Sequence, residues 1–149
     1  MPKRPVLLLS ACALAVAGFA QAQPSATDAV DFRQGVMNVY AWNLNNLRDM
    51  VRGDVPFDTA AFQSHAEDLA TAARLDVTKG FPEDSITDES DARDEIWLNW
   101  DAFLEKREAL KEQSAKLAEV SATGDEAAMK EQFGATARTC KGCHDDFKN

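Results

Sequence analysis

From about residue 27 onward, apolar positions recur at spacings of three and four, and they fall into four blocks. In the first, from about Thr27 to Val51, Ala29, Phe32, Val36, Tyr40, Leu44, Leu47 and Val51 make one stripe, the pattern of a helix with one buried face. Gly53 and Pro56 end it, and Asp58 is placed to cap a second helix from about Thr59 to Leu75, with a stripe of Phe62, Ala66, Leu69 and Ala73. Gly80, Phe81 and Pro82 interrupt the pattern. Residues 83–95 then carry seven Asp or Glu among thirteen, which reads as a solvated loop and, less often, as a docking patch for a basic partner.

The third block runs from about Ala92 to Ala122. Ile96, Phe103, Leu110 and Leu117 repeat every seven residues, with Trp100 beside the same seam, as nearly antiparallel neighbours in a bundle require. Gly124 and Asp125 supply a stop and a start. The fourth helix is expected from Glu126 to about Asp146, on a stripe of Phe133, Ala137, Cys140, His144 and Phe147. No segment alternates as a strand does. The pattern predicts an all-α protein, an antiparallel up-down-up-down four-helix bundle.

The first 22 residues belong to a different pattern. Lys3 and Arg4 precede an apolar run from Val6 to about Ala20 that ends in Ala20-Gln21-Ala22, the layout of a secretory signal cleaved after Ala22. The run is shorter than the ~20 residues of a bilayer span, so no membrane span is expected. Leu9-Ser10-Ala11-Cys12 resembles a lipobox, but the apolar run continues past Cys12, which disfavours a lipoprotein. The domain is therefore residues 23–149, exported to the periplasm. Cleavage removes two cations and no acids, taking the net charge from −9 to −11. Such a balance excludes a nucleic-acid binder.

The export leaves two cysteines, and both lie in Cys140-Lys141-Gly142-Cys143-His144, the attachment pattern of a c-type haem. Two thiols add to the haem vinyl groups, and the histidine follows where its ring reaches the iron. On a helix, residues 140, 143 and 144 share one side, so one macrocycle satisfies all three. The alternatives fit less well. A redox Cys-x-x-Cys expects a βαβ setting, and a structural zinc needs four ligands where only His65 remains outside the cluster. His65 itself sits beside Ala66 and reads as a surface or boundary residue.

Four stretches together resemble the class II cytochromes c, that is, cytochrome c′ and its low-spin relatives of the cytochrome c-556 type. They are Phe32-Arg33-Gln34-x-x-Met37, Phe81-Pro82, Ile96-Trp97 followed by Phe103, and Cys140 to Phe147. The resemblance implies one covalent haem c held by Cys140 and Cys143, His144 as axial ligand, Met37 on the distal side, and Arg33 and Gln34 at the haem edge, with Arg33 near the propionates. One departure is visible: family members often carry proline two residues before the Ile-Trp pair, where this chain has Asp94, so the path of the preceding loop and haem-edge contacts by Ser90 and Asp91 are open.

Two readings of Met37 lead to two functions. If it ligates, the soft thioether makes a six-coordinate electron carrier; one-electron transfer is the role expected here, with gas binding as the alternative. If it only packs, the iron is open to NO or CO. Arg33 likewise is either a propionate partner or a surface charge. Neither reading makes an enzyme: no nucleophile–base pair is visible, and a peroxidase needs distal acid–base groups that the first helix lacks beyond Arg33. A purely structural bundle with incidental cysteines would be colourless. The charge of −11 anticipates a redox partner with a basic docking surface. The resemblance adds a homodimer through the first two helices, to which Trp42 and Val30 would contribute if exposed.

Overall fold

A computed structural model describes residues 24–149 of the chain; the signal segment and Cys12 lie outside the described residues. The elements are α1 (Ala26–Arg52), α2 (Thr59–Ala73), α3 (Glu95–Leu98), α4 (Trp100–Ser121) and α5 (Glu126–Phe147), with a single 3-10 turn at Val77–Gly80. Four long helices form the bundle, and among the described residues there is no strand, only one isolated bridge between Ala92 and Lys148.

Capping explains the helix boundaries. The side chains of Ser25, Asp58 and Asp125 accept from the amides of Asp28, Ala61 and Ala128, each satisfying one donor that an opening helix turn leaves unpaired. Gly53 closes α1 in the left-handed conformation, at φ 78°, and its amide donates to the carbonyls of Asp49 and Met50.

The expected third helix is divided and starts later. Arg93 N–H donates to Phe147 O, and Ala92 pairs with Lys148, so these two residues belong to a bridge with the end of α5 rather than to a helix. Asn99, at φ −129° and ψ 48°, then separates α3 from α4, although the Asn99 amide still reaches Glu95 O and Phe103 N–H still reaches Asn99 O. The break is a kink across which the hydrogen-bond ladder persists. The heptad reading survives it: Ile96, Phe103 and Leu117 are buried.

The core runs the length of the bundle through Leu47, Phe62, Leu69, Leu117 and Met129, all fully enclosed. Burying each such side chain stabilises the fold by about 1.5–3 kcal/mol. α2 presents mostly alanines inward, with Ala66, Ala70, Ala72 and Ala73 buried, so α1 and α4 approach it closely. The seams α1–α2, α2–α4 and α4–α5 are densely packed, whereas α1 and α5 meet only sparsely.

The stripe on α1 is rotated slightly from the sequence expectation. Phe32 is largely exposed, and Val30, Arg33, Asn43 and Met50 are buried instead. Polar Arg33 and Asn43 hide this rotation from a hydrophobic count, because each is buried by a hydrogen bond that cannot be read from spacing. Val30, at 1% exposure, cannot contribute to a dimer surface; Trp42, at 67%, can.

Candidate haem site

Between the sparsely joined α1 and α5 lies a cavity of about 560 Å³, within the range that holds a cofactor. Its walls come from α1, the loop after α2, α4 and α5. Cys140, Cys143 and His144 stand on the α5 wall, and Gln34, Met37, Ala41 and Leu44 on the facing wall of α1. The periodicity of three and four that made each helix amphipathic is what brings these two sets to face each other.

On α5, burial raises both thiols, Cys143 to about 11, although Lys106 pulls the other way there. The shifts describe the thiols before a haem is attached, when both are protonated at neutral pH. Although the residue as a whole is exposed, partial desolvation of the His144 ring against the helix, seconded by Lys148, lowers its pKa and favours the neutral imidazole that can ligate a metal. Along the expected stripe of α5, Phe133 and Phe147 are buried and Ala137 and Cys140 half-buried, while His144 is exposed where the cavity opens.

The α1 wall carries Met37, half-buried, with Leu44 beside it in the core cluster. Tyr40 also lines the cavity, but its hydroxyl faces Ala72 O at 3.4 Å, and burial raises its pKa. His65 is outside the cavity: its Nδ1 lies 2.9 Å from Asn43 Oδ1, in agreement with a boundary position.

Arg33 is buried, at 4% exposure, so it is no surface charge. Its two Nη atoms donate to Gly80 O (2.8 Å), Ser85 Oγ (2.9 Å), Ser85 O (2.8 Å) and Ser90 Oγ (2.5 Å). The guanidinium also stacks 4.9 Å from the Phe81 ring centroid. Burial lowers its pKa, yet a guanidinium stays charged in any accessible range. Gln34 Nε2 donates to Glu89 O at 2.8 Å. Both residues line the cavity, and both spend side-chain donors on the loop, a use the sequence did not suggest; the four serine and carbonyl acceptors lie 47 to 57 residues away in sequence.

The residues present fit a haem. The cavity is mainly apolar, with two thiols and an imidazole on one wall. Four cations, Arg33, Lys106, Arg107 and Lys148, line it with the one carboxylate of Asp91; Lys106, Arg107 and Lys148 also pair with carboxylates around its rim, and such partly exposed pairs can re-form with the propionates of a haem. Among the described residues there is no cluster of three or more His, Cys, Asp or Glu that could hold a bare metal ion.

A helical bundle with this attachment sequence on its last helix, beside a cavity of this kind, defines a class II haem c protein. The family described as Cytochrome C' matches residues 28–148. Cytochrome c' of Halomonas halodenitrificans is 35% identical over 127 residues, covering 81% of this chain and 96% of that protein. Cytochrome c' of Alcaligenes xylosoxydans xylosoxydans is 31% identical, covering 81% and 93%. Among solved structures, cytochrome c prime from Shewanella frigidimarina superposes with a TM-score of 0.80 at 30% identity, covering 84% of this chain and 97% of that one. A nitric oxide complex of a cytochrome c prime mutant from Alcaligenes xylosoxidans gives 0.76 at 29% identity, covering 84% and 96%. The chain belongs to the cytochrome c′ family, and with it binds one covalent haem c.

Proposed function

We propose that this chain is a periplasmic haem c protein whose open distal face binds NO or CO. In this reading Cys140 and Cys143 carry the thioethers, His144 holds the iron from the α5 side, and Met37 covers the opposite face without ligating. When bound, the haem supplies an iron that exchanges one electron and coordinates small diatomic gases. One observation carries the reading: the wall facing His144 is apolar at Met37, Ala41 and Leu44. These three side chains offer no hydrogen bond to a water or an anion, and a neutral diatomic needs none, although Gln34, Asn38 and Asn45 of the same helix also line the cavity. On α1, the Arg33 guanidinium and the Tyr40 hydroxyl are taken up by hydrogen bonds to the loop and to Ala72 O. The nitric oxide complex of the Alcaligenes xylosoxidans relative supports the same reading.

Electron transfer with Met37 as sixth ligand is the second reading. It is favoured by Met37 being the one thioether among the residues that line the cavity. The ferric optical and EPR spectra of the holoprotein, beside Met37→Ala, separate the two. A high-spin spectrum little changed by the substitution supports the open iron, and NO and CO titrations then follow. A low-spin spectrum with a methionine–iron charge-transfer band, lost in the variant, replaces it with the electron carrier.

For a redox partner, the exposed carboxylates of Glu83, Asp84, Asp88 and Glu89 on the loop before α3 offer a docking face to a basic surface. For a homodimer, exposed Trp42 and Val39 of α1 and Leu75 after α2 form the apolar patch. Native mass measurement of Trp42→Asp beside the parent tests it: a monomer where the parent is dimeric supports this face, and no change removes it. No helix among the described residues is long and apolar enough to cross a membrane.

A further inference from the structure

Residues 80–93 form a strap joined to both walls of the cavity. On the α1 side, Arg33 and Gln34 hold it through Gly80, Ser85, Glu89 and Ser90. Gly80 lies so close to α1 that a Cβ there would come within 2.8 Å of Phe32 and 3.1 Å of Ala29 O. On the α5 side, Arg93 N–H donates to Phe147 O at 3.1 Å, Asn149 N–H donates to Asp91 O at 2.9 Å, and Lys148 pairs with Asp91 at 2.9 Å. Ser90 joins the two halves: its Oγ accepts from Arg33 on one side and from the amide of Ala92, the bridge residue, at 3.2 Å on the other. Since α1 and α5 pack only sparsely on each other, the strap is their most direct connection at this end, the other route running round the bundle through α2 and α4.

We propose that Arg33 is a positioning residue that, by gripping this strap, sets how far α1 stands from α5 and so how readily a gas reaches the distal face. The proposal rests on the reading that the haem lies between Met37 and His144. The guanidinium suits the task in a way an ammonium does not. Its planar fork meets four acceptors on three residues at once, and its charge strengthens each bond. Buried charge-assisted bonds of this kind also resist exchange with water, so the spacing is held rather than sampled. The alternative use of Arg33, pairing with a propionate, asks only for its charge.

The test separates spacing from charge. In a Met37→Ala background the distal position is empty whether or not methionine ligates in the parent, so failure of the gas-binding reading, seen in the parent's ferric spectrum, remains distinct from failure of this one. Arg33→Lys keeps the charge and loses the fork. Ser90→Ala keeps Arg33 and removes the atom that links the two halves. Both are expected to raise the CO association rate of the ferrous protein several-fold. Both are also expected to lengthen or broaden the α1–α5 distance distribution between nitroxides attached through Asp31→Cys and Arg138→Cys, with the haem thioethers protecting the native cysteines. Rates and distances that stay at the background values overturn the proposal, even if the melting temperature falls. So does a rate change in Arg33→Gln that is absent from Arg33→Lys, which would assign Arg33 to a propionate.

Discussion

Asn43 and His65 face each other across the α1–α2 seam, with Oδ1 and Nδ1 2.9 Å apart, while Asn43 Nδ2 donates to Val39 O at 3.0 Å. Asn43 is 3% exposed, so its amide is satisfied at both ends by partners it alone can serve. Asn43→Ala strands the imidazole nitrogen and opens a small void. We expect a loss of about 1–3 kcal/mol, read as a lower melting temperature in thermal denaturation followed by circular dichroism. The Soret spectrum of the holoprotein stays unchanged, because this contact is outside the cavity.

Gly80→Ala tests a close approach. The added methyl meets Phe32, Ala29 O and the Arg33 Cβ at 3.1 Å or less, and two of those three are backbone or the root of a side chain, which cannot turn away. The expected cost is about 1–3 kcal/mol, measured by urea unfolding with the m-value unchanged.

Cys140→Ala and Cys143→Ala each leave one thioether, which a pyridine haemochrome spectrum reports as an α band shifted to longer wavelength. The double variant is expected to hold haem only through His144 and the cavity walls, and to release it to acid-acetone extraction. A double variant that retained its haem under that treatment would overturn the assignment of the attachment site.

Asp94 stands where the resemblance to the class II cytochromes c leads one to expect proline. Its φ is −59°, the value a proline ring imposes, and the bonds of this turn are made by the amides of Ile96 and Trp97. Asp94→Pro is therefore expected to be neutral or to stabilise by about 0.4–1 kcal/mol through the unfolded chain, with the ferric spectrum preserved. A fall in melting temperature would show that the loop enters α3 by a different path from its relatives.

Much of this was legible in the letters because it is periodic or contiguous. The bundle follows from stripes such as Phe62, Ala66, Leu69 and Ala73, all of them buried, and the attachment site from five adjacent residues. Relations between distant segments were not legible. Ser85 sits in an acidic run that reads as solvated, yet it is 1% exposed because Arg33 reaches it. The late start of α3 depends on Ala92 and Arg93 preferring the end of α5, a choice of tertiary partner that local propensity does not encode. Phe32 fits the helical spacing but lies outside, because buried Arg33 takes the neighbouring place.

The unequal seams of the bundle have a mechanical consequence. Three sides, drawn together over the alanines of α2, are stiff; the fourth is joined mainly through a strap at one end. A body built that way does not compress evenly. Under load the three packed sides bear it through interlocked side chains, whereas the fourth bears it through the strap and through the haem that stands between α1 and α5 in place of direct helix contact.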